Sequence, residues 1–421
     1  MTVLTYEQII EGFNRRMLGG VKDRIKFLRP VLASLGNPDR QFKIIHIAGT
    51  NGKGSTGMML EQSLQYAGYK VGYFSSPALV DDREQVKIND KLISRQSFVD
   101  TYQKIASRLP VNITPADITV FEWWTLIMIQ YFADQKVDWA VIECGLGGRD
   151  DATNIINAPL IAVIAHIALD HTRILGPEIT DVAYAKAGII KAGTHQVFLG
   201  PCQQEAASDI IHNYARRQNV DLILAKEQKI VDGKAAIFFN NELHSVPFNL
   251  LGEFQNQNLG TVISVFRYLI QEGFINSWQP LLTMMKKISI PGRMQVIAHH
   301  PTVVLDGAHN PDAAHQLYHT LQFYPSNKII MVLGFLADKN IVEMCKIYQR
   351  LTDRLIITTP NHLSRAFPVT ELAAILPQAV VAKTPNEGLA KARELANPDD
   401  LIIVTGSFYT IKDIEANLNE K

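Results

Sequence analysis

The chain has 421 residues, of which 47% are hydrophobic and 19% are charged, so its length predicts two or three globular domains. Lys plus Arg and Asp plus Glu are equal at 41 each, and this balance excludes a global charge that would attract nucleic acid or an anionic membrane. The cysteines Cys144, Cys202 and Cys345 lie far apart, as in a protein from a reducing compartment. The sequence shows neither the apolar core of a signal peptide nor an apolar run long enough to span a membrane, so we expect a cytoplasmic protein. Monomer is the default, since no long exposed apolar pattern demands a partner.

Short β-branched runs alternate with helical patterns in two blocks. The first block has predicted strands at 43–48, 71–74, 139–143, 160–167 and 196–199, and predicted helices at 56–67, 95–108, 121–132, 179–190 and 203–218. The second block has predicted strands at 302–306, 328–334, 354–359, 379–382 and 401–405. This alternation predicts an α/β fold, with a parallel sheet covered by helices on both faces. Ligands of such sheets gather beyond the carboxyl ends of the strands.

A glycine-rich turn follows the first strand and carries the strongest functional signal. It consists of Gly49, Thr50, Asn51, Gly52, Lys53, Gly54 and Ser55. Glycines allow backbone N–H groups to point at phosphate oxygens, and the next helix adds a favourable dipole. Lys53 can reach terminal phosphates as a mobile charge. The common phosphate loop would need Gly at position 47 and Ser or Thr at position 54, so an ordinary glycine turn is the alternative.

The sequence of this turn closely resembles the nucleotide loop of the folylpolyglutamate synthase and dihydrofolate synthase family, within the Mur ligase superfamily. The resemblance recurs along nearly the whole chain, from residues 25–38 to Gly406-Ser407-Phe408-Tyr409. It implies a P-loop-type, parallel-sheet ATPase domain at 1–295. Within this domain, polar and apolar residues alternate at about 222–250 around Asp232-Gly233 and Asn240-Asn241, and this pattern predicts a small β-hairpin insertion. The resemblance also implies a smaller, Rossmann-like glutamate-ligase domain at 296–421, after a linker at 288–300.

The resemblance implies two Mg²⁺ sites beside ATP. Glu143 ends a buried strand next to glycines, where a carboxylate suits Mg²⁺ or caps a neighbouring helix. Ser76, Glu143 and His171 match the metal ligands of the family, although a lone histidine is more often structural. Lys186 would ordinarily be a solvated helix lysine. It matches a lysine that the family carries as a carbamate, formed with CO₂, which would bind the second Mg²⁺.

Other residues match nucleotide and substrate positions of the family. Asn258 would contact the base of ATP, although an amide is also ordinary at a helix start. Arg293 would reach phosphate, and its alternative role is that of a surface cation. Asp306 would lie near the ribose and phosphates. Thr119, Phe121 and Asp151 match positions that line the pterin pocket, although Phe121 on its own also suits a core position. The family pattern is lost at Pro77-Ala78-Leu79 and Asp82-Arg83-Glu84-Gln85, which lie near the pterin-bearing substrate in the family.

The resemblance implies an ATP-dependent ligase that adds L-glutamate to reduced folates through an acyl phosphate, with or without activity toward dihydropteroate. Lys53, Lys186 and His309 would be its catalytic residues. The alternatives are another Mur-superfamily amino-acid ligase, a non-catalytic nucleotide-binding module and a phosphotransferase. The module would be expected to lack some of the metal and phosphate residues, but Lys53, Ser76, Glu143, His171 and Lys186 are all present.

Overall fold

The structure is a computed structural model that describes residues 4–15, 24–322, 324, 326–362 and 364–419. Contacts between Cα atoms divide the chain into two compact units. The first comprises Met1–Pro247 and Asn256–Lys287, and the second comprises Phe248–Gln255 and Ile288–Lys421. The chain therefore passes between the units near residue 248 as well as near residue 288, which a single linear boundary does not describe.

The first unit is built on an eight-stranded sheet. Its strands are β1 Lys43–Ala48, β2 Val71–Phe74, β3 Val86–Ile88, β4 Lys91–Leu92, β5 Trp139–Glu143, β6 Ile161–Ile164, β7 Gln196–Leu199 and β8 Leu222–Leu224. The order across the sheet is β4-β3-β2-β5-β1-β6-β7-β8, and every neighbouring pair from β2 to β8 is parallel. The central strands β1, β5 and β6 are almost wholly buried, as expected for a parallel sheet that is covered on both faces.

Helices surround this sheet. They are α1 Tyr6–Gly12, α2 Arg24–Ser34, α3 Lys53–Tyr66, α4 Arg95–Ala106, α5 Val120–Asp134, α6 Thr172–Leu175, α7 Ile179–Ala187, α8 Glu205–Arg217, α9 Phe254–Gln271 and α10 Gln279–Lys287. The mostly apolar run Trp123–Phe132 lies within α5, whose residues are buried almost throughout. No helix in the described part of the chain combines the length and the apolar character that crossing a membrane requires.

The predicted parallel α/β fold is confirmed, with two local differences. β3 and β4 add an antiparallel edge, joined by a turn at Asn89 and Asp90 whose φ angles are +47° and +62°. Positive φ at both turn positions is typical of a tight hairpin. β6 ends at Ile164, earlier than predicted, because the chain then leaves the strand ladder and His166 pairs with Asn51 of the glycine turn.

A separate three-stranded antiparallel sheet consists of β9 Ile230–Val231, β10 Lys234–Phe239 and β11 Glu242–Pro247. Its two hairpin turns fall at the predicted pairs Asp232-Gly233 and Asn240-Asn241, where all four φ angles are positive. The sheet begins later than the predicted insertion, because Leu222–Leu224 pairs with β7 and closes the edge of the large sheet.

The second unit contains a six-stranded sheet with its own hydrophobic core. Its strands are β12 Gln295–Ala298, β13 Thr302–Leu305, β14 Ile329–Leu333, β15 Leu355–Ile357, β16 Val380–Val381 and β17 Leu401–Thr405, and its helices are α11 Pro311–Gln322, α12 Ile341–Gln349, α13 Val369–Ile375, α14 Pro385–Leu395 and α15 Phe408–Asn419. The order is β12-β13-β17-β14-β15-β16, and all pairs except the antiparallel β12–β13 pair are parallel.

Candidate active site

The glycine turn links the central strand β1 to α3. β1 ends at Ala48 and α3 begins at Lys53. Gly52 takes the N-cap position with φ of +84°, and a Cβ atom there would lie 2.3 Å from Oδ1 of Asn258 on α9. A side chain is therefore excluded by both the backbone conformation and the approach of the amide. α3 starts earlier than the predicted Thr56, because the left-handed glycine lets the chain enter the helix at Lys53.

The segment after β6 fixes the backbone of this turn. The N–H groups of Thr50 and Asn51 both donate to the carbonyl oxygen of His166, at 2.7 and 3.2 Å. The Thr50 hydroxyl donates to the Ala168 carbonyl at 2.8 Å, and the Ala168 N–H donates back to that hydroxyl at 3.0 Å. The first turn of a helix offers N–H groups that lack partners within the helix, and these bind phosphate well. Hydrogen bonds to His166 and Ala168 thus hold the turn in front of a helix start that suits an anion.

Lys53 lies beside Glu143, the last residue of β5. Its ammonium nitrogen is 3.7 Å from Oε1 of Glu143 and 3.4 Å from the carbonyl oxygen of Thr50. Sheet register explains this proximity, since Ile47 of β1 is paired with Glu143 of the adjacent parallel strand. A mobile cation and a strand-end carboxylate therefore meet at the helix start.

Lys186 is buried beneath the same turn, with 3% of its surface exposed. Its ammonium group donates to the carbonyl oxygen of Gly49 at 2.9 Å. Burial, with the nearby charge of Lys53, lowers the pKa of Lys186 from 10.5 to about 7, although Asp170 and Asp151 act in the opposite direction. The alternative of a solvated helix lysine is therefore wrong. At neutral pH a substantial fraction of this amine is unprotonated and nucleophilic.

Ser76 and His171 follow strands that reach the same edge of the sheet. Ser76 lies just after β2 and precedes Pro77 across a cis peptide bond. His171 caps α6 with a left-handed backbone, and its N–H donates to Oδ1 of Asp170 at 2.8 Å. Among the described residues, no three His, Cys, Asp or Glu side chains converge on one point as a ready metal cage.

The predicted ligands nevertheless suit Mg²⁺. A hydroxyl, a single carboxylate and an imidazole offer few protein ligands. Mg²⁺ accepts such a set, because it keeps several waters and takes further oxygens from phosphate. Glu143 supplies the negative charge and already faces the cation Lys53.

The predicted substrate residues differ in their exposure. Thr119 is the N-cap of α5 and is 5% exposed, and its N–H donates to Glu122 Oε2 at 2.8 Å. Asp151 is also 5% exposed. The half-buried Phe121 packs against the chain at Gly145, where a Cβ atom would lie 2.5 Å from its ring. Phe121 is therefore the predicted residue most open to contact with a ligand.

In the second unit, Asp306 follows β13 and is 3% exposed. Its two carboxylate oxygens accept from backbone N–H groups: Oδ2 from Met294 at 3.0 Å and Oδ1 from Ala308 at 2.9 Å. Burial raises the pKa of Asp306, while the charge of Arg293 acts to lower it. This geometry makes Asp306 an organiser of the strand-end loop, and its position near the ribose and phosphates of ATP stays a prediction.

His309 and Arg293 share one aromatic neighbour, Phe408. The guanidinium carbon of Arg293 lies 4.5 Å from the centre of the Phe408 ring, and the His309 ring centre lies 6.1 Å from it. Nδ1 of His309 lies 2.9 Å from the carbonyl oxygen of Gly307, which can only accept. Nδ1 must therefore carry a proton, so Nε2 is the basic nitrogen of the neutral ring.

Phe408 and Asp170 are two residues for which the sequence analysis predicted no role. Phe408 directly follows the loop after β17, and the strand-end position was the available signal. Asp170 precedes the predicted ligand His171 and acts electrostatically on the distant Lys186. Their partners lie far away in the sequence, so the local pattern alone did not single them out.

Comparison with known proteins shows two domain families in this chain. Residues 47–266 match the Mur ligase middle domain, and residues 292–408 match the Mur ligase, glutamate ligase domain. A dihydrofolate synthase/folylpolyglutamate synthase of Bacillus subtilis is 30% identical over 432 aligned positions, covering 98% of this chain and 99% of the relative.

Solved structures show the same fold. The Escherichia coli FolC structure with DHPP and ADP superposes with a TM-score of 0.86 at 27% identity, covering 99% of this chain and 97% of that one. A bifunctional folylpolyglutamate synthase/dihydrofolate synthase from Yersinia pestis, complexed with AMPPNP and Mn ion, gives 0.82 at 29% identity and covers 94% and 93%. The chain therefore belongs to the folylpolyglutamate synthase/dihydrofolate synthase family of Mur ligases, and it is an ATP-dependent ligase.

Proposed function

We propose that this protein uses ATP and a divalent metal to join L-glutamate to a reduced folate, and that it can also use dihydropteroate as the acceptor. The matched glutamate ligase domain and the names and ligands of the relatives support these substrates. The observation that carries the proposal is the cluster around the glycine turn. There Lys53, Glu143 and Lys186 contact or flank the residues that would hold the phosphates.

The reaction activates a carboxylate that is otherwise a poor acyl donor. A carboxylate oxygen of the acceptor attacks the γ-phosphorus of ATP, and the bond to ADP breaks. The amine of glutamate then attacks the acyl carbon of this acyl phosphate. Phosphate leaves with the bonding electrons, the nitrogen loses a proton, and an amide remains. Most of the protein's contribution is positioning and charge neutralisation.

Residues of this chain supply that neutralisation. Lys53 lies at the start of α3, where it can follow the γ-phosphate during transfer. Arg293, which lies against Phe408, is the further cation that the family resemblance predicts to reach phosphate. His309 has a basic Nε2 that can accept the proton released by the attacking amine.

Ser76, Glu143 and His171 would hold the divalent metal, which supplies positive charge to the phosphate oxygens when bound. Lys186 would bind a second one as a carbamate. Its neutral amine attacks CO₂, a nitrogen–carbon bond forms, and one proton is released to give an anionic oxygen ligand. The pKa of about 7 supports this step, because the reactive neutral amine is present at physiological pH.

The assay for this function combines purified protein, ATP, Mg²⁺ and radiolabelled glutamate with either dihydropteroate or tetrahydrofolate. We expect label in the product and acceptor-dependent ADP release with tetrahydrofolate. Label with dihydropteroate as well would establish both activities. Lys53→Met should abolish the reaction, whereas Lys91→Met, at an exposed position on β4, should not. Acceptor-independent ADP release, or no turnover at all, would refute the folate assignment.

A further inference from the structure

Four polar side chains lie buried behind the loop that follows Glu143, and the proposed mechanism uses none of them. Only Asp151 has a predicted role, as a residue that lines the pterin pocket. His46 and Thr153 are fully buried, Cys144 is 1% exposed and Asp151 is 5% exposed. His46 is on β1, whereas Thr153 is in a short 3₁₀ turn, Ala152–Ile155. Since polar groups are costly to bury, such a cluster is expected only where its hydrogen bonds are well made.

The distances determine which group donates to which. The hydroxyl oxygen of Thr153 lies 2.5 Å from Oδ1 of Asp151, 2.9 Å from Nε2 of His46 and 3.6 Å from Sγ of Cys144. A hydroxyl has one hydrogen, and a carboxylate can only accept. Thr153 therefore donates to Asp151, and the proton between Thr153 and His46 must come from Nε2 of the imidazole.

This direction is consistent with the surroundings of His46. Burial lowers its pKa well below the ordinary value, so the ring is neutral and carries one N–H. Nδ1 is buried and makes no hydrogen bond, which places that hydrogen on Nε2. The Cys144 sulfur, 3.2 Å from Nε2, is a second and weaker acceptor.

Asp151 connects this hydrogen-bond network to the loop that follows Glu143. Besides the Thr153 hydroxyl, its Oδ1 accepts the Thr153 N–H at 3.0 Å, while its Oδ2 accepts the N–H of Leu146 at 2.7 Å. Leu146 neighbours Gly145, the residue that packs directly against the Phe121 ring. The glycine turn that precedes α3 is held separately, by bonds to His166 and Ala168.

We propose that His46 and Thr153 are positioning residues, which hold the Asp151 carboxylate in the orientation that fixes the Gly145–Leu146 loop against Phe121. This inference rests on the proposed function and on the family resemblance, which implies that Phe121 lines the pterin pocket of the acceptor. It gives Asp151 a role through the loop, in addition to its predicted place in the pterin pocket. It also separates two binding steps, because the phosphate-binding turn does not depend on this network.

The test compares Thr153→Val, Thr153→Ser and Thr101→Val. Valine has the shape of threonine without the hydroxyl, and serine restores the hydroxyl. Thr101 is a buried control on α4, whose hydroxyl donates only to the Ser97 carbonyl of its own helix. In Thr153→Val we expect the KM for tetrahydrofolate to rise about tenfold, the usual effect of losing a hydrogen bond to a charged group. The KM for ATP should stay within about twofold, and Thr153→Ser should recover most of the loss.

Kinetic constants of Thr153→Val equal to those of the wild type would overturn the proposal. If Thr153→Ser showed the same rise in the KM for tetrahydrofolate as Thr153→Val, packing would explain the effect and the proposal would also be overturned. An equal rise in the KM values for tetrahydrofolate and ATP would overturn it as well. Selective ¹⁵N-histidine labelling tests the network without turnover. One imidazole should show a protonated Nε2 and an unprotonated Nδ1, vanish in His46→Gln, and shift in Thr153→Val but not in Thr101→Val. If the wild-type protein shows no folate-dependent ADP release, the proposed function fails. Independently of that result, an imidazole signal that is absent, or that does not shift in Thr153→Val, would refute the hydrogen-bond network.

Discussion

The ammonium group of Lys186 donates a hydrogen bond to the carbonyl oxygen of Gly49, 137 positions away in the sequence. The bond joins the C-terminal turn of α7 to the first residue of the glycine turn. One hydrogen bond cannot offset the removal of an ammonium group from water, and the pKa of Lys186 is accordingly lowered to about 7. A buried amine that lowers stability is expected where the amine itself is required for function.

Lys186→Met should therefore abolish activity and raise stability. Between pH 7 and 10.5 the unfolded chain binds the proton that the folded chain has lost, so the contribution of Lys186 to the free energy of unfolding increases with pH. The penalty is greatest at and below pH 7, where the variant should gain on the order of 2–4 kcal/mol in bicarbonate-free buffer. Thermal unfolding from pH 6 to pH 10 measures this gain, which should shrink as the pH rises. A variant that is less stable than the wild type at pH 6 would refute the argument.

Gly52→Ala should weaken ATP binding as well as stability. The methyl group meets both a left-handed backbone and the side-chain oxygen of Asn258, at 2.3 Å. Gly68→Ala is a matched control, because Gly68 has φ of +93° but nothing within 4 Å of a Cβ atom. The backbone conformation alone costs about 1 kcal/mol in each variant. We expect an additional loss of stability, and a rise in the KM for ATP of about tenfold or more, in Gly52→Ala only. Equal unfolding temperatures and equal KM values in the two variants would contradict this expectation.

Glu61→Leu should stabilise the protein most strongly in alkaline solution. Glu61 lies on α3 with 1% exposure, and neither carboxylate oxygen has a hydrogen-bond partner. Burial, followed by the charge of Asp90, raises its pKa to about 8 from 4.5. Between these values the folded chain holds a proton that the unfolded chain has lost, so this group lowers the free energy of unfolding as the pH rises.

The gain of Glu61→Leu should be small at pH 5 and reach a few kcal/mol above pH 8. Thermal unfolding at both pH values, with the surface substitution Glu205→Gln as the control, tests the sign of this dependence. A gain that is the same at both pH values would show that packing, and not ionisation, is responsible.

Asp306→Asn should lower the free energy of unfolding, because it weakens the loop that follows β13 in the second unit. One carboxylate oxygen becomes an amide NH₂ that faces a backbone N–H, either of Met294 or of Ala308. Losing one buried acceptor costs about 1–3 kcal/mol. Chemical denaturation gives this difference directly, with the exposed Asp353→Asn as the control. Full stability together with weakened nucleotide binding would instead indicate that Asp306 contacts the ligand.

Local patterns explain why much of the fold could be predicted. The bounds of β1, β2, β5, β7 and β17 follow from short apolar runs that are buried on both faces. The hairpin turns of the small sheet follow from residues that tolerate positive φ. The antiparallel edge strands β3 and β4 were not predicted. Their short segments carry little periodic signal, and pairing with β2 defines them.

The alternation of strands and helices, the glycine turn after β1 and the family can all be inferred from the sequence alone, because each depends on residues that are close together in the chain or on a characteristic motif. The three-dimensional fold sets what the single polar residues do. It buried Lys186 under Gly49, directed both oxygens of Asp306 at backbone groups, and placed Thr153 between His46 and Asp151. Burial and hydrogen-bond direction depend on partners supplied by other strands and helices, and no local pattern encodes those partners.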